Sequence, residues 1–119
     1  MNTTIDCAAV ASVIREGFGI TINGQNLAPA LGYMVSVYPE REERYPVEAV
    51  TADVIDGYVS RHADAIDRAG NFLGAWIEDG VVYLDVSVNE LDRGRAVALG
   101  REHDQLAIYD VVARRDIRL

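Results

Sequence analysis

The feature that most narrows the fold is Asp79-Gly80, set between two β-rich runs at residues 72–78 and 81–87. Both central positions of a two-residue type I′ turn need positive φ, and Asp-Gly tolerates this at little cost, so the pair predicts a β-hairpin. A tight turn also sets the register. It places Ile77 across from Val82, Ala75 from Leu84 and Leu73 from Val86 on one face, with Trp76 across from Tyr83 and Gly74 from Asp85 on the other.

The segments around the hairpin supply the remaining elements. Residues 33–38 are mostly β-branched and aromatic and stop at Pro39, which has no N–H to continue a ladder. Residues 39–48 are charged and bracketed by prolines, which predicts a solvated loop or a ragged edge segment. Over 51–69 the period becomes helical: Ile55, Tyr58, Val59, His62, Ala65, Ile66 and Ala69 share one side, with Thr51 as N-cap and Gly70 as stop. A second helix is expected from Asn89 or Asp92 to about His103, and a last strand over 106–112. The expected fold is therefore α+β, a ferredoxin-like split β-α-β-β-α-β body over 31–112. An N-terminal helical extension (1–30, with Thr3 or Thr4 as cap) and a basic tail (113–119) complete a single domain over 1–119.

Helices in this layout cover one sheet face. With Leu73, Ile77, Leu84, Val86, Val35, Val37, Leu106 and Ile108 as the helix-side core, the opposite face receives Met34, Ser36, Tyr38, Phe72, Trp76, Tyr83, Asp85 and Tyr109. Two dispositions stay open for that face. Either residues 1–30 cap it and its aromatics are core, or it is left for use.

Charge restricts the use. Nineteen acids stand against eleven bases, all arginine, for a net charge of -8. The bases gather only at Arg114, Arg115 and Arg118, so phosphate backbones and anionic lipid are repelled from most of the surface. Aromatic sheet platforms that stack nucleic-acid bases have basic surrounds, and here Asp85 sits within the face. There is no apolar run of membrane-spanning length and no secretory signal pattern at the start, so a cytoplasmic location is expected. The single cysteine, Cys7, excludes an internal disulfide and reads as an inert thiol on an apolar helix face.

No motif names a reaction, and neither a catalytic residue nor a cofactor is predicted. His62, in the middle of an apolar helix face, reads as a satisfied histidine, and His103 as a helix-closing one. The acidic stripe Asp53, Asp56, Asp64 and Asp67 is bordered by Arg61 and Arg68, with Asp64 and Arg68 spaced to pair; it reads as a solvated helix face, not a metal site. Two functional readings follow. One is a non-enzymatic interaction protein presenting Tyr38, Phe72, Trp76, Tyr83, Asp85, Tyr109 and the four stripe aspartates to a basic protein partner. A second copy of the chain is a further candidate occupant. The other reading is a small-molecule-binding domain or small enzyme using the aromatic face, with His62 or His103 and Asp85 as acid–base groups.

The run Leu73-Gly74-Ala75-Trp76-Ile77-Glu78-Asp79-Gly80-Val81-Val82-Tyr83-Leu84-Asp85-Val86-Ser87, continuing to Ala107-Ile108-Tyr109-Asp110, resembles small proteins carried by actinobacterial phages, prophages and mobile elements. The resemblance covers about residues 31–112 and brings no assigned active residues. It implies a setting in which small acidic proteins inhibit host defence enzymes, as anti-CRISPR and antirestriction proteins do.

Overall fold

The computed structural model describes residues 5–119. The expected Thr3 or Thr4 cap lies outside these residues. Helix α1 (Cys7–Arg15) is capped by Asp6, whose carboxylate accepts from the Ala9 N–H. The described chain is α+β: four helices and one antiparallel sheet of seven strands.

At the centre are β4 (Asn71–Glu78) and β5 (Val81–Glu90), paired in the register that the Asp79-Gly80 turn dictates. Both turn residues have positive φ, 52° and 76°. Strand β2 (Tyr33–Ser36) lies along the far half of β5, and β6 (Ala107–Asp110) along β2. Three further strands enlarge the sheet beyond the four expected. Strand β1 (Ile20–Ile22) adds to β4, β3 (Glu43–Pro46) lies beside the near half of β5, and β7 (Arg115–Arg118) adds to β6.

Strand β3 decides between the expected loop and the expected edge segment in favour of the edge segment. In Glu43-Arg44-Tyr45-Pro46 alternate side chains meet opposite faces, which gives β5 a partner despite the charge of the segment. Strands β2 and β3 share one edge of β5, with Ser36 opposite Ser87 and Glu43 opposite Leu84. Between these anchor pairs the partner chain has more residues than β5 does. The surplus is looped out as a 3₁₀ turn at Pro39–Arg41.

All helices lie on one sheet face. Helices α2 (Ala52–Arg61), α3 (Ala63–Ile66) and α1 enclose a core of Val10, Ile14, Ile55, Tyr58, Ile66, Leu73, Val82, Leu84 and Val86. Helix α4 (Arg93–Glu102) closes a second cluster around Val35, Ala96 and Ile108. Gly100 weakens α4 as a helix but admits the close approach of Ile108 and Leu119, which a Cβ would obstruct. The described part of the N-terminal segment does not cap the open face: α1 packs on the helix side, and β1 extends the sheet.

Other expectations fail for local reasons. The single helix over 51–69 breaks at His62, whose backbone leaves the helical region (φ -117°, ψ 18°) where its ring is held by β3 and the looped-out turn. Leu106, assigned to the core, is 78% exposed, because β6 starts one residue later and the Leu106 carbonyl serves only to anchor the Leu119 N–H. The basic tail is largely strand, with Ile117 inward against Ile108 and Arg115, Asp116 and Arg118 exposed. Among the described residues no helix is long and apolar enough to cross a membrane.

Candidate functional site

The helix-free face takes its side chains from alternate positions of β4, β5, β3, β2 and β6, and the pairing arranges them in rows. In one row Trp76, Tyr83 and Arg44 are adjacent across β4, β5 and β3. The Trp76 and Tyr83 rings stack at 4.1 Å between centroids, with an interplanar angle of 10°. The Arg44 guanidinium lies 4.8 Å from the Tyr83 centroid and donates to Glu42 at 2.9 Å. Trp76 is 42% exposed, an uncommon display for so large an apolar surface.

Gly74 and Asp85 form the next row. With no side chain at Gly74, the Asp85 carboxylate leans into the gap, where an added Cβ would collide with it. Asp85 is only 9% exposed, and no hydrogen bond or ion pair reaches its carboxylate from the described residues. The looped-out turn explains the company it keeps. Because β3 begins at Glu43, Glu42 falls next to Asp85, two carboxylates side by side. Burial first and Glu42 second push the Asp85 carboxyl up to about 7.

Of the residues expected at a site, Phe72, Trp76, Tyr83 and Asp85 are brought together. Phe72 lies one row beyond Gly74, opposite Ser87. Tyr109 is on the same face but distant, in a row with Met34 and Asn89, six residues along β5 from Tyr83 or roughly 20 Å. Tyr38 is not on the face. Its strand ends at Ser36, and the turn carries its ring to the helix side, where it packs on the main core and its hydroxyl accepts from Asn71 at 3.3 Å. Asp53, Asp56 and Asp64 are exposed on the outer helix surface and Asp67 is half-buried at the end of α3, so the acidic stripe and the aromatic patch occupy opposite sides of the molecule. Asp64 pairs with Arg41, not with Arg68, through two bonds of 3.0 and 2.9 Å. No group of three or more potential metal ligands occurs among the described residues.

Neither histidine bonds to Asp85, so the acid–base pairing of the enzyme reading, His62 or His103 with Asp85, is not assembled. His103 closes α4 with its Nδ1 at 3.0 Å from the Leu99 carbonyl. His62 is the centre of a helix-side polar cluster in which Glu43, Arg41 and Tyr45 were not expected at all. Its Nε2 is 2.8 Å from Glu43 Oε2, and its Nδ1 is 3.3 Å from Arg41 Nη1. Since Arg41 can only donate, Nδ1 accepts and Nε2–H donates, which defines the neutral tautomer. Glu43 also accepts from Arg61 Nη2 and from the Tyr45 hydroxyl, both at 2.6 Å. These bonds, that of Arg61 foremost, hold the Glu43 carboxyl down at about 2. The cluster clamps β3 and the looped-out turn to α2, helped by Tyr58, whose hydroxyl donates to the Arg41 carbonyl at 2.8 Å.

That role has a measurable consequence. Glu43→Gln keeps the shape but removes the charge on which three donors converge, and is expected to lower stability by about 1–3 kcal/mol in chemical denaturation. The loss should shrink as pH falls below 4.5, where the unfolded carboxyl takes up its proton, and continue to shrink towards pH 2. An unchanged midpoint would show that the clamp contributes nothing.

The signal for Arg44 and Glu42 was present in the alternation of Glu42-Glu43-Arg44-Tyr45, where even positions face solvent and odd positions face α2. Charge and flanking prolines obscured it. A shallow depression of about 470 Å³ lies elsewhere, at the sheet end, lined by Leu31, Gly32, Tyr33, Leu91, Asp110, Val112 and Ala113. No family model matches this chain, and no curated protein or solved structure matches it.

Proposed function

We propose that this chain is a non-enzymatic protein-binding module that uses the helix-free sheet face to engage a basic surface of its partner. The observation that carries the reading is the exposed Trp76 ring, stacked on Tyr83 beside a buried acid. Interface hot spots favour Trp, Tyr and Arg because large, pre-ordered side chains lose little entropy on docking. The charge of -8 complements a basic partner and disfavours nucleic acid as occupant. An inhibitor of a host defence enzyme, of anti-CRISPR or antirestriction type and acting in the cytoplasm, fits this chemistry and the resemblance to phage and mobile-element proteins. We infer further that β2, β4, β5 and β6 with the α2–α3 and α4 layer are a ferredoxin-like split β-α-β-β-α-β unit. The order β4-β5-β2-β6 supports this, with β1, β3 and β7 as additions.

The test compares wild-type protein with Trp76→Ala in retaining a basic protein from host lysate. The expected result is stoichiometric retention by the wild type and a loss of about 30-fold or more in affinity for the variant. Stability should change by only about 1 kcal/mol, the scale of a lost aromatic stack. Equal retention by both proteins, or capture of nucleic acid in place of protein, overturns the reading.

A further inference from the structure

The open face contains one arginine–aromatic–carboxylate assembly that is complete and a second that lacks its cation. In the complete one Arg44 covers the Tyr83 ring and is held by Glu42. In the other, Trp76 stacks on Tyr83 through one ring face, and the neighbouring chain position beyond it, Gly19, has no side chain to cover the other. Asp85 supplies the carboxylate over Gly74, a diagonal neighbour of Trp76 at roughly 7 Å and so within the span of a long side chain. It has no donor from the described residues. Asp85 keeps 9% of its surface exposed on the open face, and an incoming group can approach it there.

We propose that Asp85 and Trp76 form a receptor slot for an arginine side chain of the protein partner, the guanidinium lying against the indole above Gly74 and donating to the carboxylate. This rests on the protein-binding reading and names its anchor. Arginine is favoured over lysine because a planar, weakly hydrated fork both stacks on a ring and pairs with a carboxylate. The chain itself uses that combination at Arg44. A nearly buried carboxylate without donors is costly, and a guanidinium would supply what it lacks.

The surroundings make the slot responsive to pH. Glu42 from the turn and Arg44 from β3 are the charged groups facing Asp85, Tyr83 and Ser87 flank it on β5, and Tyr58 lies behind the sheet on α2. The adjoining positions of β4 and β2, Gly74, Phe72, Trp76 and Ser36, are not titratable. With the carboxyl pushed up to about 7, arginine competes with a proton below that pH and binds the free carboxylate above it.

N-acetyl-arginine amide is the probe, followed by amide and indole NMR shifts, with N-acetyl-citrulline amide as its uncharged isostere. Saturable shifts confined to Gly74, Trp76, Tyr83 and Asp85 are expected, with affinity about tenfold higher at about pH 8 than at about pH 6. Asp85→Asn should lose about tenfold or more at the higher pH while keeping the folded spectrum. Equal binding of citrulline, shifts scattered over the surface, or full affinity in Asp85→Asn overturns the slot. Lysate retention separates the two ideas. A partner lost on Trp76→Ala but retained by Asp85→Asn leaves the protein-binding reading standing and removes the arginine slot.

Discussion

Replacing Asp85 with asparagine is expected to stabilise the fold by up to about 4 kcal/mol at about pH 8 and to leave it nearly unchanged at about pH 3. The carboxyl rises from an ordinary 3.8 to about 7 on folding, so the folded state binds the proton more tightly than the unfolded chain does. Stability contributed by this group is therefore complete below 3.8 and declines as pH climbs to about 7, after which the penalty is constant. Asparagine has nearly the same shape and no charge to desolvate. Urea denaturation of both proteins across this range measures the effect, and parallel pH profiles would show that Asp85 is not strained by burial. An incoming guanidinium would relieve the same desolvation penalty that asparagine removes, so the arginine slot and the stability penalty share one cause.

Leu84→Ala is expected to cost about 2–5 kcal/mol, the range for emptying a leucine from a packed core. Leu84 is fully buried between β5 and the α1–α2–α3 layer, whereas the preceding residue, Tyr83, points to the opposite face. Truncating Trp76 should cost only about 1 kcal/mol, because it loses mainly one stacked partner, and truncating Tyr83, which also loses the Arg44 contact, about 1–2 kcal/mol. Thermal or urea midpoints of the three variants decide it. Equal losses would mean that the aromatic face is covered in the folded protein and is not a docking surface.

Much of this is legible in the sequence. The Asp79-Gly80 turn implies every β4–β5 pair, and from that register follow the stacking of Trp76 on Tyr83 and the placement of Asp85 over Gly74. Tyr38 and Leu106 were misplaced for the same reason as each other. Alternation assigns a face only while the strand continues, and β2 ends before Tyr38 while β6 starts after Leu106. The Glu43 cluster was hidden because its members come from the turn, β3 and α2, distant in the chain and individually ordinary as surface charges. The acidic stripe was expected on a single helix face; instead it is divided between α2 and α3, with Asp67 half-buried and Asp64 paired with Arg41, and nothing local could say that it lies opposite the aromatic patch.

The sequence by itself determined what short-range physics controls: the hairpin and its register, the capped helix start at Thr51, and the core face of the two central strands. Only the tertiary structure decided which face α1 would cover, that β2 and β3 would share the edge of β5, and that the surplus residues between them would set Glu42 beside Asp85. Those outcomes depend on pairings between residues far apart in the chain. Their energies arise from desolvation and packing that exist only once the sheet has closed around them.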